Sequence, residues 1–363
     1  MTAYHILLHP RTWQKVETYL LELHHGRRPG GYLQRQLAQA DPQTLGTHDL
    51  LVLLLQTKKP QIYAESAVRG DGSDWNLKEL GILGDISMAL PVTVFDNGRH
   101  AQPEVHTQPF AATLVFTPGT LLRNGFGLPA ADAGEVVRNH RIDAQAYRAL
   151  YHRRLLPVFH YINHQAKHNG TPAFITMPGL GCGQFAGPFK GRLGEELKQT
   201  LFVFLSTHGR MFDHIQAVYY DPYNECANER QRIGSIEVMV RPLCKGNHSK
   251  PQLCPPGRYA EPGDPFAGAD LYSIVAWDHV SWPGNDFYTG CRATDDGVKA
   301  AATNAMAVMT GVQGRYDTQT CCYRPPAGFR TWLDVVQQNN LQLHARENLQ
   351  ILPASGGQAI DAG

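Results

Sequence analysis

Asp278, Asp286, Asp295 and Asp296 fall within one short stretch of the chain. Carboxylates gathered this closely can serve as acid, base or stabiliser of a developing positive charge. Asp278 ends an apolar run, LYSIVAW over residues 271–277, which predicts a buried strand. The C-terminal end of such a strand is where open α/β sheets hold ligands. A Pro-Gly-Asn285-Asp286 turn follows. Thr294-Asp295-Asp296 then opens a helix expected over residues 294–309, with a threonine N-cap and an acidic first turn. Any one of these acids alone reads more simply as local structure, Asp286 in a turn and Asp295 in a cap. Together, behind so apolar a strand, they point to a site.

The second segment with chemical content is FITMPGLGCGQFAGPF, residues 174–189. A strand ends, closely spaced glycines turn the chain, and a helix is expected over about residues 191–207. Glycines admit positive φ and carry no Cβ, so successive backbone N–H groups can converge on an anion. A helix N-terminus behind the loop would add partial positive charge. Gly181, Cys182, Gly183, Gln184 and Phe185 are therefore candidate phosphate or diphosphate contacts. The G-K-[ST] of a P-loop is missing and the glycine spacing differs from the dinucleotide fingerprint. On glycine content alone, a tight turn without a ligand explains the segment equally well.

Other reactive residues carry less. His160, His164 and His168 share one face of an expected helix; without a recognisable partner ligand they read as polar side chains on an amphipathic helix rather than a metal stripe. Cys182 lacks an evident histidine partner and reads as a small loop residue. The seven cysteines are scattered without a C-x-x-C pair, which predicts free thiols.

These segments must be positioned by a sizeable scaffold. The chain has 363 residues, 42% of them hydrophobic and 18% charged, with 33 basic against 32 acidic side chains. That balance argues against a nucleic-acid binder and gives no polybasic signal for a membrane surface. No apolar run is long enough to span a bilayer, and the N-terminus lacks the order of a secretory signal. Helices are expected over residues 11–40 with a break at 27–31, over 141–168 with Pro157 kinking or splitting it, and over 329–339. Strands are expected at residues 50–55, 91–95, 112–116, 173–177, 215–220, 236–240 and 271–277. Residues 242–268, rich in Pro and Gly, read as an irregular insertion, and the tail after Pro353 as disordered. Strands alternating with helices predict a largely parallel sheet covered on both faces.

The glycine segment resembles the A-F-P-A-I-S-T-G-x-Y-G-x-P stretch of macrodomains, with Phe185 at the place of the family's aromatic residue. SIVAWD, ending at Asp278, is similar to the start of the family's D-A-I-V-N-A-A-N. WPGND, ending at Asp286, resembles its glycine turn, and Thr294-Asp-Asp296-Gly297-Val resembles its D-G helix start. In the family these elements precede the phosphate loop; here they follow it, which implies a circularly permuted order. Gly84-Asp85-Ile86-Ser87 echoes the family's G-D-I-T, whose aspartate binds the adenine amino group. The asparagine of N-A-A-N is missing, as is the Q-E-E signature of poly(ADP-ribose) glycohydrolases. The spacing of Asp278, Asp286 and Asp296 is similar to that of a bacterial effector branch whose activity removes ADP-ribose from an arginine of ubiquitin.

The resemblance implies a three-layer α/β/α macrodomain-like fold with a mixed, largely parallel sheet. It divides the chain into an N-terminal helical segment (1–45), a catalytic domain (46–350) and a flexible tail (351–363). It implies an ADP-ribosyl hydrolase acting on ADP-ribosylated protein, arginine-linked and with ubiquitin as a candidate acceptor, needing no cofactor or metal. Asp278, Asp286 and Asp296 would be catalytic. Gly181, Cys182, Gly183, Gln184, Phe185, Asn285, Asp295 and Asp85 would hold ADP-ribose. A non-catalytic ADP-ribose reader and a metal-dependent nucleotide-diphosphate hydrolase are the competing classes. Cytoplasmic residence and delivery into a host cell by a specialised system both fit a chain without a Sec-type signal.

Overall fold

The computed structural model describes residues 4–38, 44–62 and 67–354. Its frame is a mixed sheet of nine strands among the described residues: β1 (His5–Leu8), β2 (Ser87–Asp96), β3 (Val105–Pro118), β4 (Ala173–Pro178), β5 (Ile215–Asp221), β6 (Glu229–Ile233), β7 (Ile236–Val240), β8 (Asp270–Trp277) and β9 (Leu349–Ile351). The spatial order is β9-β1-β2-β3-β8-β4-β5-β7-β6. From β3 through β7 the pairings are all parallel, as is β1 with β9. The pairs β1–β2, β2–β3 and β6–β7 are antiparallel.

Side chains alternate across this sheet as a period of two requires. Leu7, Ala89, Val115, Ile175, Val218 and Ile274 pack under α5 (Ala144–Asn169) and α6 (Leu193–His208). Ile6, Met88, Leu114, Phe174, Tyr219 and Val275 face the opposite layer. That layer contains α1 (Pro10–His24), α2 (Gly31–Leu37), α3 (Thr47–Thr57), α4 (Leu77–Leu83), α7 (Asp295–Ala301), α8 (Ala305–Thr310) and α9 (Trp332–Gln338). The result is a three-layer α/β/α architecture. None of these helices is long and apolar enough to cross a membrane.

The strand β8 is inserted between β3 and β4 although it comes after both in the chain. The helices that follow β3 and β4 lie on one face, and those that follow β8 lie on the other. The connection therefore reverses side at β8, and in open α/β sheets ligands bind beyond the carboxyl ends of the strands at such a reversal. That placement brings the late aspartate segment beside the earlier glycine loop.

Residues 50–55 are not a strand but the middle of α3. A continuous apolar run fits either structure by periodicity, and its five leucines favour the helix. Leu50, Leu51, Leu54 and Leu55 are buried on one face. The N-terminal segment of residues 1–45, expected as helical, also supplies β1, and β9 closes the sheet beside it. The helix of residues 141–168 is α5, capped by Asp143 and ended by Gly170 in the left-handed region. It continues through Pro157 as a single helix. The helix expected over 294–309 is divided into α7 and α8. All seven cysteines are free. Of the tail expected over 351–363, Ile351 belongs to β9 and residues 355–363 lie outside the described residues.

Candidate functional site

Strand β8 ends at Trp277 and delivers Asp278 into a buried turn. One oxygen of Asp278 accepts from the N–H groups of Val280 (2.7 Å) and Ser281 (2.6 Å). The other accepts from the Ser281 hydroxyl and from Asn285 Nδ2 (3.3 Å). Asn285 Oδ1 in turn accepts from Ile62 N–H at 2.8 Å. Asp278 and Asn285 thus shape the turn and tie it to the segment after α3.

Asp286 is half-buried and folds back on the start of α7. Its Oδ2 accepts from Ala293 N–H (2.8 Å) and Thr294 N–H (3.2 Å), and its Oδ1 from the Thr294 hydroxyl. Thr294 is the N-cap of α7 and accepts from Gly297 N–H at 3.2 Å. Asp286 approaches this helix start so closely that a Cβ at Gly297 would meet Asp286 Oδ1 at 1.9 Å. Gly297→Ala is therefore expected to push Asp286 out of place. Circular dichroism should show the fold retained while turnover drops at least about 10²-fold; unchanged turnover would detach Asp286 from the site.

Asp295 and Asp296 point to different places. Asp295 Oδ2 accepts from Ala276 N–H (2.8 Å) and pairs with Lys299 Nζ (3.1 Å), fastening α7 to β8. Lys299 is itself buried and also donates to Ile274 O and Gln252 Oε1. Asp296 is buried with its Oδ1 at 2.5 Å from Thr294 Oγ1 and 2.8 Å from Gly297 N. Its Oδ2 is the single carboxylate oxygen among the described residues that is buried without a partner. A buried oxygen left in that state costs stability and marks a site where a ligand group or water belongs. Burial, and then the negative charges of Asp278, Asp286 and Asp295, push the Asp296 carboxyl well above the usual range, against the opposing Thr294 hydroxyl.

This shift has a stability consequence. Because the folded state holds the Asp296 proton more tightly, its stabilising effect is complete below the unfolded pKa of about 3.9 and is lost as pH rises through the folded pKa. Asp296→Asn cannot ionise. Its melting temperature should match the parent near pH ~3.5 and exceed it increasingly above pH ~4, at up to about 1.4 kcal/mol per pH unit. A constant difference across that range in scanning calorimetry would contradict the shift.

The glycine loop reaches this cluster through the loop after β3. A Cβ on Gly119 would meet Gly181 N at 2.2 Å, so the two loops pack backbone against backbone. Gly119 N–H donates to Trp277 O (3.1 Å), one residue before Asp278, and Leu122 N–H donates to Phe185 O (2.8 Å). Tyr151 of α5 clamps both loops, donating to Leu180 O (2.6 Å) and accepting from Thr120 N–H (3.1 Å). Gln184 is exposed and its Oε1 accepts from Arg123 at 2.9 Å. The Cys182 thiol is buried, and burial with the Glu225 charge pushes it well up, away from nucleophilic character.

The helix expected over about residues 191–207 is α6, Leu193–His208. A 3-10 turn, Gln184–Phe189, intervenes before α6. The first turn of α6 already binds a carboxylate of the protein, with Gly194 N–H donating to Glu225 Oε2 at 2.6 Å. The Pro-Gly content of the loop hid that turn.

Asp85 does not join the aspartates. It lies just before β2, fully enclosed, with Oδ2 at 2.6 Å from Lys15 Nζ and 2.5 Å from Arg153 Nε, and Oδ1 at 3.2 Å from Arg154 Nε. Arg154 continues to Asp132 (2.7 Å) and to Gly119 O (2.9 Å), and Asp132 meets His279 Nε2 at 3.2 Å and Leu121 N–H at 2.8 Å. This buried ionic chain runs beneath both loops. Apart from Asp85, its members, with Tyr151 and Lys299, carried no sequence signal, because single polar residues among apolar neighbours show no spacing. Among the described residues no group of three or more His, Cys, Asp or Glu is placed to hold a metal ion. A separate groove of about 390 Å³ between α1, α5 and α6, lined by Arg11, Arg148, His152 and His208 among others, contains none of the expected site residues.

A glycine loop and an aspartate-bearing helix start, brought together at the carboxyl end of β8 within a three-layer α/β/α fold, define a macrodomain. The chain belongs to the family described as macrodomain effector MavL, whose sequence profile matches residues 4–329. No curated protein matches the chain.

Proposed function

We propose that the protein hydrolyses the N-glycosidic bond between ADP-ribose and an arginine of a modified protein, with ubiquitin as the candidate acceptor. Membership of a macrodomain effector family gives the ADP-ribose part of this reading. The observation that carries the catalytic part is Asp296: a buried carboxyl that holds its proton unusually well, with one oxygen unpartnered and three further carboxylates around it. A module that only read ADP-ribose would gain nothing from such a costly group.

In this reading the diphosphate rests on the backbone of residues 181–185, and Arg123, beside Gln184, supplies a cation to it. Binding there fixes ribose C1 over the carboxylates. C1–N cleavage passes through an oxocarbenium-like state, and the acidic cluster stabilises that positive charge. Asp296 Oδ2 is the atom that meets the reacting groups. Asp286 holds the start of α7 so that Asp296 stays aimed, while Asp278 and Asn285 keep the turn closed. This narrows the expectation, which counted Asp278, Asp286 and Asp296 together as catalytic, to one reacting carboxyl.

The test is to incubate the protein with arginine-ADP-ribosylated ubiquitin, with and without EDTA, and follow free ADP-ribose. Release that survives EDTA supports the reading. Calorimetric binding of ADP-ribose without release would make the protein a reader, and release only with added Mg²⁺ would make it a metal-dependent enzyme.

A further inference from the structure

The Thr294 hydroxyl lies between two carboxylates, contacting Oδ1 of Asp286 and Oδ1 of Asp296. A hydroxyl has one hydrogen to donate, and an ionised carboxylate can only accept. Both contacts are hydrogen bonds only if one of the two carboxyls carries a proton and donates it to Thr294 Oγ1. Asp296 is the deeper of the pair, so the chain runs from Asp296 O–H to Thr294 Oγ1, and from the Thr294 hydroxyl to Asp286. Thr294 itself is exposed at the mouth of the cluster.

We infer that Thr294 is a proton relay joining Asp296 to Asp286, a positioning residue that lets one carboxyl act first as base and then as acid. The inference rests on the hydrolase reading above. As the C1–N bond breaks, its electron pair leaves with the guanidine nitrogen. Water adds to C1, and its proton goes to Asp296 Oδ2. The proton on Asp296 Oδ1 passes to Thr294 Oγ1, whose own hydrogen moves to Asp286. The chain then runs backward: Asp286 returns its proton through Thr294 to Asp296 Oδ1, and Asp296 Oδ2 delivers its proton to the guanidine. The net transfer is one water proton to the departing guanidine and hydroxide to C1, with every side chain restored. Without the relay, Asp296 would have to take the water proton while already protonated, in a buried setting that disfavours any charge.

The groups that set the proton balance come from every side of Asp296. Asp278 lies at the end of β8, Asp286 and Tyr288 in the turn before α7, and Asp295 and Lys299 on α7 itself. Thr294 is the only residue that touches two of the carboxylates through one hydroxyl among the described hydrogen bonds. Its second job as N-cap must be separated from the relay, and the choice of variants does so. Thr294→Ser keeps cap and hydroxyl. Thr294→Asn keeps a good cap acceptor but cannot pass a proton through a single atom.

Single-turnover release of ADP-ribose from arginine-ADP-ribosylated ubiquitin should be within about threefold of the parent in Thr294→Ser. In Thr294→Asn it should fall about 10²-fold, with melting temperature and calorimetric ADP-ribose affinity close to the parent's. The parent and serine protein should give a bowed proton inventory in H₂O–D₂O mixtures, and the asparagine protein a straight one. Asparagine at the parent's rate, or serine as slow as asparagine, would overturn the relay while leaving hydrolysis standing. A parent protein that releases nothing would remove the hydrolase reading and the relay with it.

Discussion

Asp296→Asn should abolish ADP-ribose release, by about 10³-fold or more, while ADP-ribose still binds. The substitution keeps shape and removes only the ability to exchange a proton. Asp296 Oδ2 has no other task in the structure: among the described residues it is a buried carboxylate oxygen without a partner. A loss of that size corresponds to about 4 kcal/mol of transition-state stabilisation, within reach of a positioned acid–base group in a dry site. Binding should survive because the loop at residues 181–185 lies on the other side of Gly119 and is held by Tyr151. Asp286→Ala should behave differently. It removes the acceptor of two backbone N–H groups and of the Thr294 hydroxyl, so turnover should disappear together with about 1–2 kcal/mol of stability at the helix start. Release by Asp296→Asn at even a tenth of the parent rate would place the reacting carboxyl elsewhere.

The parts of this site that a reader of the sequence could find are those whose signal is local. The strand ending at Asp278 announced itself by an unbroken apolar run, and the Thr294 cap by its position before two acids. The glycine loop was visible because close glycines serve few purposes. The strand at residues 173–177 and the long helix ending at Gly170 were legible for the same reason: burial and capping write themselves into neighbouring residues. Residues 50–55 were misread because an unbroken apolar run has no period, and only the partners it meets decide its structure. The strand β9 and the placement of β8 between β3 and β4 are long-range pairings, and a few residues of edge strand leave no pattern. The division of labour among the acids was illegible for a different reason. Asp278, Asp286, Asp295 and Asp296 are the same residue type, and only three-dimensional donors separate the three that hold backbone from the one that has an oxygen to spare.

Asp85→Ala should be the most damaging substitution outside the carboxylate cluster, and through stability rather than ligand contact. Burial alone would raise the Asp85 carboxyl, but the charges of Lys15, Arg153 and Arg154 outweigh it and hold it well below the usual range. Its side chain is fully enclosed, as is that of Arg154. Removing one partner of a buried ion pair leaves the other charge uncompensated, a loss of about 3–5 kcal/mol. Arg154 also donates to Gly119 O and Asp132, so the disturbance should reach the loop that touches Gly181. The sign of the pH dependence follows from the depressed carboxyl. Its contribution is present above the unfolded pKa of about 3.9 and is lost as pH falls toward the folded value. The parent should therefore lose its advantage over Asp85→Ala in acid, whereas at neutral pH the gap in denaturant midpoint should be widest. The echo of the family's adenine-binding motif at Gly84-Asp85 makes a different forecast: lost ADP-ribose affinity with little change in melting. Calorimetry on the folded variant at low temperature separates the two. Affinity within about threefold of the parent, beside a large fall in stability, identifies Asp85 as the anion at the centre of a buried cationic cluster. Affinity reduced more than about thirtyfold with unchanged melting would return it to the nucleotide.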